Sequence, residues 1–485
     1  MKTDLLADRH IGIQEADLPA MLEKIGVKSL DELINKTIPS KIRLKEPLAL
    51  AAPMTEREFA EHIAGLASLN KIYTSYIGMG WYDTITPAVI QRNVFENPAW
   101  YTSYTPYQTE VSQGRLEALL NFQTVISDLT AMPLANCSLL DEATAAAEAA
   151  TMMYGLRSRD QQKKGTNVLF VDESIFPQNL AVIQTRVIPQ GMKIQVGNYK
   201  ELEFTPEIFA CIIQYPNASG SVEDYREFVE KAHAANCKVA VDADILSLAL
   251  LLPPGEWGAD IVFGSTQRLG IPLFYGGPSA AYFATRDEYK RNMPGRIIGW
   301  SKDKYGKICY RMALQTREQH IKREKATSNI CTAQALLATM AGFYAVYHGQ
   351  EGIKNIAKRI HSIATWLNKA LARLGYVQHN EIFFDTLRFS LPDHVSAQKL
   401  RTIALSKEVN LCYYDNGDVG FSIDETTDLK DVNLLLSIFS IAAEETMQEV
   451  TDIPEASSLN RDLRRRTSFL THEVFNKYHT ETEMM

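Results

Sequence analysis

Apolar runs of strand length alternate with helix-length segments through the middle of this chain, and no other feature constrains its fold as strongly. Four runs between residues 61 and 350 are rich in Val, Ile, Phe and Ala: 167–172, 210–214, 237–242 and 260–264. Such runs predict strands buried on both faces, and the segments between them are long enough for crossover helices. We therefore predict an α/β fold with a mostly parallel sheet and with ligand chemistry at the carboxyl ends of its strands.

Three further regions flank this predicted large domain at 61–350. Residues 1–60 contain short amphipathic segments interrupted by turn residues, which predict an N-terminal arm. Residues 351–450 combine helix patterns with strand patterns, which predict a small α+β C-terminal domain. Residues 451–485 are polar and predict an extension beyond the last domain.

Composition argues against several classes of function. The net charge of −8, from 50 basic and 58 acidic residues, argues against nucleic acid as the main partner. The sequence has no apolar segment long enough to span a bilayer and no hydrophobic signal core at its start, so we expect a cytoplasmic protein. Six cysteines are spread without metal-ligand spacing, and we expect free thiols and no bound metal.

The string from Asp260 to Pro278 places Gln267 and Arg268 directly after a predicted strand. It resembles the loop in which pyridoxal-phosphate (PLP) enzymes of fold type I, the aspartate aminotransferase-like fold, carry the lysine that binds the cofactor as a Schiff base. Arg268 stands in the place of that lysine. Because a guanidinium group stays protonated and forms no Schiff base, we expect no PLP to be bound covalently to this chain.

The same resemblance makes Asp242 the residue that would pair with the pyridinium nitrogen of PLP. A strand-end aspartate is equally typical of a helix N-cap or of a ligand-free loop. In the predicted alanine-rich helix after Ser138, Asp141 and Glu142 occupy the first turn, where enzymes of this type hold the cofactor phosphate. Their carboxylates complement the helix dipole and would repel a phosphate. We therefore predict a degenerate PLP site made of Asp242, Gln267, Arg268, Asp141 and Glu142.

Three longer strings, 9–12, 101–110 and 312–334, closely resemble the N-terminal half of the P-protein family of the glycine cleavage system, the glycine decarboxylases. Proteins of this family occur as one long chain of two homologous halves or as two subunits, and the PLP-binding lysine lies in the second half. The resemblance implies that PLP is bound by a lysine-bearing partner half. It also implies that this chain pairs with that half, and that two such pairs form a heterotetramer.

In this fold type active sites form at subunit interfaces, and the resemblance implies that side chains of this chain reach the partner's cofactor. Tyr104, Thr105, Tyr107 and Gln108 are the first candidates, because tyrosines and an amide would supply an apolar wall and neutral hydrogen bonds around a glycine carboxylate. The alternative is a turn that is packed by its own aromatic residues.

A second group of candidates lies further along the chain. Thr327, Ser328 and Asn329 are implied to donate hydrogen bonds to the phosphate of the partner's PLP. His320 is a candidate proton-transfer group, although a histidine in a stretch of mixed charges is more often a structural hydrogen-bond partner.

The resemblance implies that the two halves together decarboxylate glycine and transfer the aminomethyl group to the lipoyl arm of H-protein. This chain alone is not expected to be active. One alternative is a catalytically silent half that only stabilises or regulates its partner. Another is an independent PLP enzyme that uses a different lysine, such as Lys302 or Lys325.

Overall fold

The central sheet of the computed structural model has seven strands, and the four predicted strands are consecutive members of it. Its spatial order is Leu134–Ala135, Ala281–Thr285, Ile261–Ser265, Lys238–Ala243, Ile208–Tyr215, Val168–Asp172 and Lys193–Gly197. All neighbouring pairs are parallel except the two that involve Ala281–Thr285, which runs antiparallel to both its neighbours. The predicted mostly parallel sheet is confirmed.

The structure describes residues 10, 12–102, 106–274, 276–277, 279–315, 319–326, 330 and 333–484. The chain divides into two compact units, Met1–Tyr73 and Thr74–Met485. The first unit contains the helices Leu18–Ile25, Leu30–Thr37 and Glu56–Ala67. It thus extends beyond the arm expected at 1–60, and the central sheet belongs to the second unit.

Side chains of the sheet alternate between two separate cores. Along the strand Val168–Asp172, Val168 and Phe170 belong to one core, whereas Leu169 and Val171 belong to the other. Successive side chains of a strand point to opposite faces, so apolar residues at every position require helices on both faces. The described helices around the sheet are Gln113–Thr130, Glu142–Gly155, Arg159–Lys163, Pro177–Val187 and Arg226–Ala234.

A small antiparallel sheet follows the large one. Its order is Val377–Gln378, Thr386–Ser390, Val419–Ser422 and Cys412–Tyr413, and the helices Ala397–Ser406 and Leu429–Ala442 accompany it. The helix Ala335–Arg373 leads into this part, and it is interrupted at Gly349 by a non-helical backbone conformation. Helices and strands thus both occur after residue 351.

A hairpin of Ile297–Lys302 and Ile308–Ala313 stands apart from both sheets. Two glutamines of the helix Gln113–Thr130 bond to its backbone. Gln113 exchanges two hydrogen bonds with the backbone of Tyr310, and Gln123 does the same with Ile298.

The segment 451–485, expected as a polar extension, is part of the second unit and contributes side chains to its core. Leu470 and Phe475 are completely buried within the first core. The Arg465 guanidinium group donates hydrogen bonds to the carbonyl oxygens of Asp128, Leu129 and Leu248, residues far from it in sequence. Apolar side chains at intervals along this polar segment are buried in the core. The prediction from average polarity did not identify them.

The shorter described elements complete the second unit. Thr74–Ser75 pairs in parallel with Val409–Asn410. The remaining helical segments include Ala88–Ile90, Gln91–Phe95, Gln319–Lys322, Val474–Lys477 and Glu481–Met484. Among the described residues, no helix has the length and apolar character needed to cross a membrane, and no cluster of His, Cys, Asp or Glu could hold a metal ion.

Candidate functional site

The candidate site lies at the carboxyl ends of the central parallel strands, as predicted. Asp242 is in the strand Lys238–Ala243, and Gln214 of the neighbouring strand stands opposite it. Arg268 follows the strand Ile261–Ser265. Asp385, directly before the small-sheet strand Thr386–Ser390, closes the site from the other side. The described lining also includes Gly80, Tyr82, Glu142, Phe176, Pro216, Asn217, Gly220, Asp244, Ser265, Gln267 and Thr386.

Arg268 is buried at the centre of this site. Its guanidinium group forms ion pairs with Asp244, at 2.8 Å between Nε and Oδ2, and with Asp385. The guanidinium carbon lies 3.4 Å from the centroid of the Tyr82 ring. Burial raises the pKa of Asp385 to about 6 although the Arg268 charge opposes the rise, so Asp385 is ionised at neutral pH. Two carboxylates and a ring face compensate the charge of this buried cation, although Arg268 Nε forms no hydrogen bond of good geometry.

Glu142 and Asp242 form a second buried cluster beside Arg268. Burial raises the pKa of Glu142 to about 7, and hydrogen bonds with Asn179 and Asp242 only partly offset this rise. Burial and the charge of Glu142 raise the pKa of Asp242 well above its ordinary value. Asp242 is in hydrogen-bond contact with Glu142, and its Oδ2 accepts a hydrogen bond from Asn179 Nδ2 at 2.7 Å. Two carboxyl groups this close cannot both ionise in a buried site.

The geometry does not fit PLP in this chain. The position that the resemblance assigns to a pyridinium nitrogen, next to Asp242, is taken by the carboxyl group of Glu142. The cavity directly beside Arg268 and Asp242 is about 30 Å³, and a larger pocket of about 420 Å³ adjoins it at Gly80, Glu142 and Ser265. At the expected phosphate position Asp141 is the N-cap of the helix Glu142–Gly155, and its Oδ1 accepts the Thr144 N–H at 2.7 Å. The space beside Arg268 and Asp242 is therefore occupied by side chains of this chain.

Residues 78–86, which we call the strap, lie over one side of the site. The sequence patterns did not identify this segment as part of the site. The strap begins with three consecutive residues of positive φ, Gly78, Met79 and Gly80. At Gly80 an added Cβ would lie 3.1 Å from the Phe176 ring and 3.2 Å from Glu142 Oε2, so the turn passes close to the site. In the sequence, this segment is marked by Gly-Met-Gly before two aromatic residues. That pattern predicts a turn but does not indicate which residues the turn contacts.

The residues predicted to act in trans are only partly visible. Tyr107 is half-buried against the first core, and its ring centroid lies 5.1 Å from the guanidinium carbon of Arg296. Gln108 is exposed. Tyr104, Thr105, Thr327, Ser328 and Asn329 lie outside the described residues, as does the side chain of His320. The structure brings the degenerate-site residues together and leaves the site in trans as a prediction.

Comparison with known proteins gives close relatives. The family model described as "Glycine cleavage system P-protein" matches residues 8–439. The chain is 78% identical over 485 residues to glycine dehydrogenase (decarboxylating) from Bacteroides thetaiotaomicron and 55% identical to the protein of the same name from Flavobacterium johnsoniae. All of this chain is covered in both comparisons, but only 51% of each relative, so the chain spans about half the length of these curated relatives.

Solved structures agree with the fold. A crystal structure of glycine decarboxylase (P-protein) of the glycine cleavage system, in inhibitor-bound form, matches with a TM-score of 0.80 and 30% identity. That match covers 89% of this chain and 99% of the solved chain. An alanine–glyoxylate aminotransferase from Nostoc has a TM-score of 0.53 at 15% identity over 84% of this chain, which supports the fold alone. The predicted fold type I architecture is confirmed.

Proposed function

The chain belongs to the glycine cleavage system P-protein family, and from this premise we propose that it is the first half of a cytoplasmic glycine decarboxylase. In this proposal it completes an active site whose PLP is bound by a lysine-bearing second half. The two halves decarboxylate glycine and pass the aminomethyl group to the lipoyl arm of H-protein. Two such pairs assemble as a heterotetramer.

The observation that carries this proposal is the closed degenerate site. Arg268 is held by Asp244, Asp385 and Tyr82, and Glu142 bonds to Asp242, so this chain lacks the amine that PLP needs and the space beside Arg268 is occupied. A member of this family without a cofactor site of its own contributes to catalysis only through a partner that has one.

Two comparisons support the proposal of a partner half. The relatives from Bacteroides and Flavobacterium are about twice as long as this chain, so each contains a second region of similar size. The solved P-protein chain is aligned over 99% of its own length, so a P-protein chain of about this extent occurs as a separate chain in a crystal.

The bound PLP would act as the electron sink for the electrons left by departing CO2. In the proposal, Tyr107 and Gln108, together with Tyr104, surround the glycine carboxylate with neutral donors. Thr327, Ser328 and Asn329 bind the phosphate across the interface, and His320 is a proposed proton carrier. Neutral surroundings favour decarboxylation. A carboxylate removed from water loses the solvation that stabilises its charge, whereas the CO2 that leaves is uncharged.

The test is glycine-dependent exchange of labelled CO2, with PLP and lipoylated H-protein present. This chain alone should give no exchange, the lysine-bearing half alone should give little, and the mixture should give full exchange. Exchange by this chain alone would contradict the proposal and would revive an independent enzyme that uses a lysine such as Lys302. A stable mixture without exchange would favour the silent half that only stabilises its partner.

A further inference from the structure

The loop that carries PLP in fold type I lies along the strap in this chain. Gln267 Oε1 accepts the Tyr82 N–H at 3.1 Å, and Gln267 Nε2 donates to the Tyr82 carbonyl oxygen at 2.6 Å. Gln267 Nε2 also donates to the carbonyl oxygen of Ile271 at 2.8 Å, which fixes the amide relative to its own loop. One buried amide thus satisfies both backbone groups of one strap residue.

The contacts continue along both segments. The Thr84 hydroxyl lies 3.4 Å from the Arg268 carbonyl oxygen, and the Thr86 hydroxyl donates to the Gly270 carbonyl oxygen at 2.8 Å. The Arg268 guanidinium group also lies against the Tyr82 ring. The loop and the strap are therefore in contact at three places along their length. Neither segment forms a regular strand there.

Glu425 holds the strap from the side of the small sheet. Its Oε2 accepts hydrogen bonds from the Thr84 hydroxyl at 2.6 Å and from the Ile85 N–H at 2.8 Å. Its Oε1 accepts the Tyr344 hydroxyl at 2.8 Å. The backbone of the strap is fixed between this carboxylate and Gln267.

The outward side of the strap is apolar. Trp81 is 39% exposed and Ile85 is 53% exposed, although the residues beside them in sequence, Tyr82 and Thr84, face the loop. Aromatic contacts hold the chain between the strap and the proposed site segment. Phe95 lies 5.2 Å from Phe274 between ring centroids.

The next contact brings the chain to the proposed site. Trp100 lies 5.4 Å from Phe343, again between ring centroids. Tyr101, the next residue, begins the string 101–110 that contains Tyr107 and Gln108. The strap is therefore joined to the segment that the proposed function places at the composite site by a short stretch of chain that these two contacts anchor.

We propose that Gln267 and Arg268 are positioning residues for the composite reaction. The former cofactor loop no longer binds PLP and instead clamps the strap, so that the strap and the segment after it are presented in one conformation to the lysine-bearing half. This inference rests on the proposed function for its catalytic part, but the clamp itself is a property of this chain alone.

The test uses Gln267→Leu with Gln123→Leu as its matched control. Gln123 is also buried and also exchanges two hydrogen bonds with the backbone of one residue, Ile298, but it holds the hairpin rather than the strap. Hydrogen–deuterium exchange is measured on the full chain. Gln267→Leu should speed exchange at residues 82–85 about tenfold, and Gln123→Leu should leave these amides unchanged.

Both variants are then assembled with the lysine-bearing half and assayed for glycine-dependent CO2 exchange. We expect Gln267→Leu to lower kcat about tenfold or more with the complex still assembled, because small misplacements of site residues are costly, while Gln123→Leu stays within about twofold of wild type. Unchanged exchange at 82–85, or faster exchange with the same kcat as the control, would overturn the inference.

If the wild-type complex shows no turnover, the proposed function is rejected. Hydrogen exchange alone would then test whether Gln267 fixes the strap. If Gln267→Leu fails to fold, Arg268→Lys replaces it, with Arg388→Lys as control. Arg388 likewise pairs with a carboxylate, that of Asp418, and lies 4.0 Å from the Tyr414 ring centroid. The same two readouts apply to this pair of variants.

Discussion

We expect two separate features of the Arg268 site to keep PLP from binding covalently there, one chemical and one spatial. The chemical reason is that a guanidinium group forms no Schiff base. The spatial reason is that Glu142, Tyr82 and the ion-paired carboxylates leave a cavity of about 30 Å³ directly beside Arg268. Replacing Arg268 with an amine-bearing residue changes the chemistry but leaves the surrounding side chains in place. The two reasons can therefore be tested separately.

Arg268→Lys should therefore bind no PLP covalently, even though it restores an amine at the cofactor position. The measurement is absorbance with PLP in the range of a protonated Schiff base, followed by borohydride reduction and peptide mapping by mass spectrometry. Wild-type protein gives the background labelling of surface lysines. A reducible label at the substituted position would show that chemistry alone, and not the filled space, had excluded the cofactor.

The carboxyl pair predicts a pH dependence of stability. Burial raises the pKa of Glu142 from 4.5 to about 7, so the folded state holds a proton that the unfolded state releases between these values. Stability from this group is complete below pH 4.5 and is lost as the pH rises through about 7. Glu142→Gln keeps the shape and the hydrogen bond to Asp242 without this titration.

Melting temperatures between pH 4.5 and 7 test this prediction. The wild-type values should fall with pH more steeply than those of Glu142→Gln. Glu223→Gln is the control. Burial acts to raise the pKa of Glu223, but hydrogen bonds from Lys200, Ser221 and Tyr199 outweigh it, and the net pKa lies below its ordinary value. Parallel curves for wild type and Glu142→Gln would mean that the pKa of Glu142 is not raised in the folded state.

At the scale of elements, the strap and the C-terminal segment were the features that sequence patterns described least well. Both lack regular secondary structure over most of their length, and both are fixed by side-chain contacts with residues far away in sequence. In contrast, the four central strands were predicted within two or three residues of their observed ends, because continuous burial leaves an apolar run in the sequence itself.

The C-terminal segment should contribute measurably to stability. Leu470 is fully buried, and its N–H donates to Asp128 Oδ2 at 2.7 Å. We expect Leu470→Ala to lower the free energy of unfolding by about 2–5 kcal/mol, measured by urea denaturation. Leu405→Ala, at a site that is 40% exposed, should change it by less than about 1 kcal/mol. Equal effects of the two substitutions would mean that the segment is not docked on the core.

At the scale of the whole molecule, the proposal depends on a partner that completes the site. Tyr107 separates a catalytic half from a silent one. If Tyr107 supplies a hydrogen bond to the substrate, Tyr107→Phe should lower kcat about tenfold in the assembled complex, which is the value of one hydrogen bond of ordinary strength. Analytical ultracentrifugation should show unchanged assembly.

Tyr305→Phe is the matched control, because Tyr305 is 75% exposed on the hairpin and has no proposed role in the reaction. It should leave kcat unchanged. If Tyr107→Phe also leaves kcat unchanged while the complex forms, the silent half that only stabilises its partner becomes the better account.

The sequence by itself determined the parallel sheet, the family resemblance and the loss of the cofactor lysine. Strand burial and the chemistry of Arg268 are local properties that can be read from the chain. Only the tertiary structure decided what replaced the cofactor. Glu142 was expected only to complement a helix dipole, and in the structure its side chain contacts Asp242; Asp385 and Tyr82 reach Arg268 from distant segments. Such contacts depend on how separate elements meet in space, and no periodicity within one element encodes them.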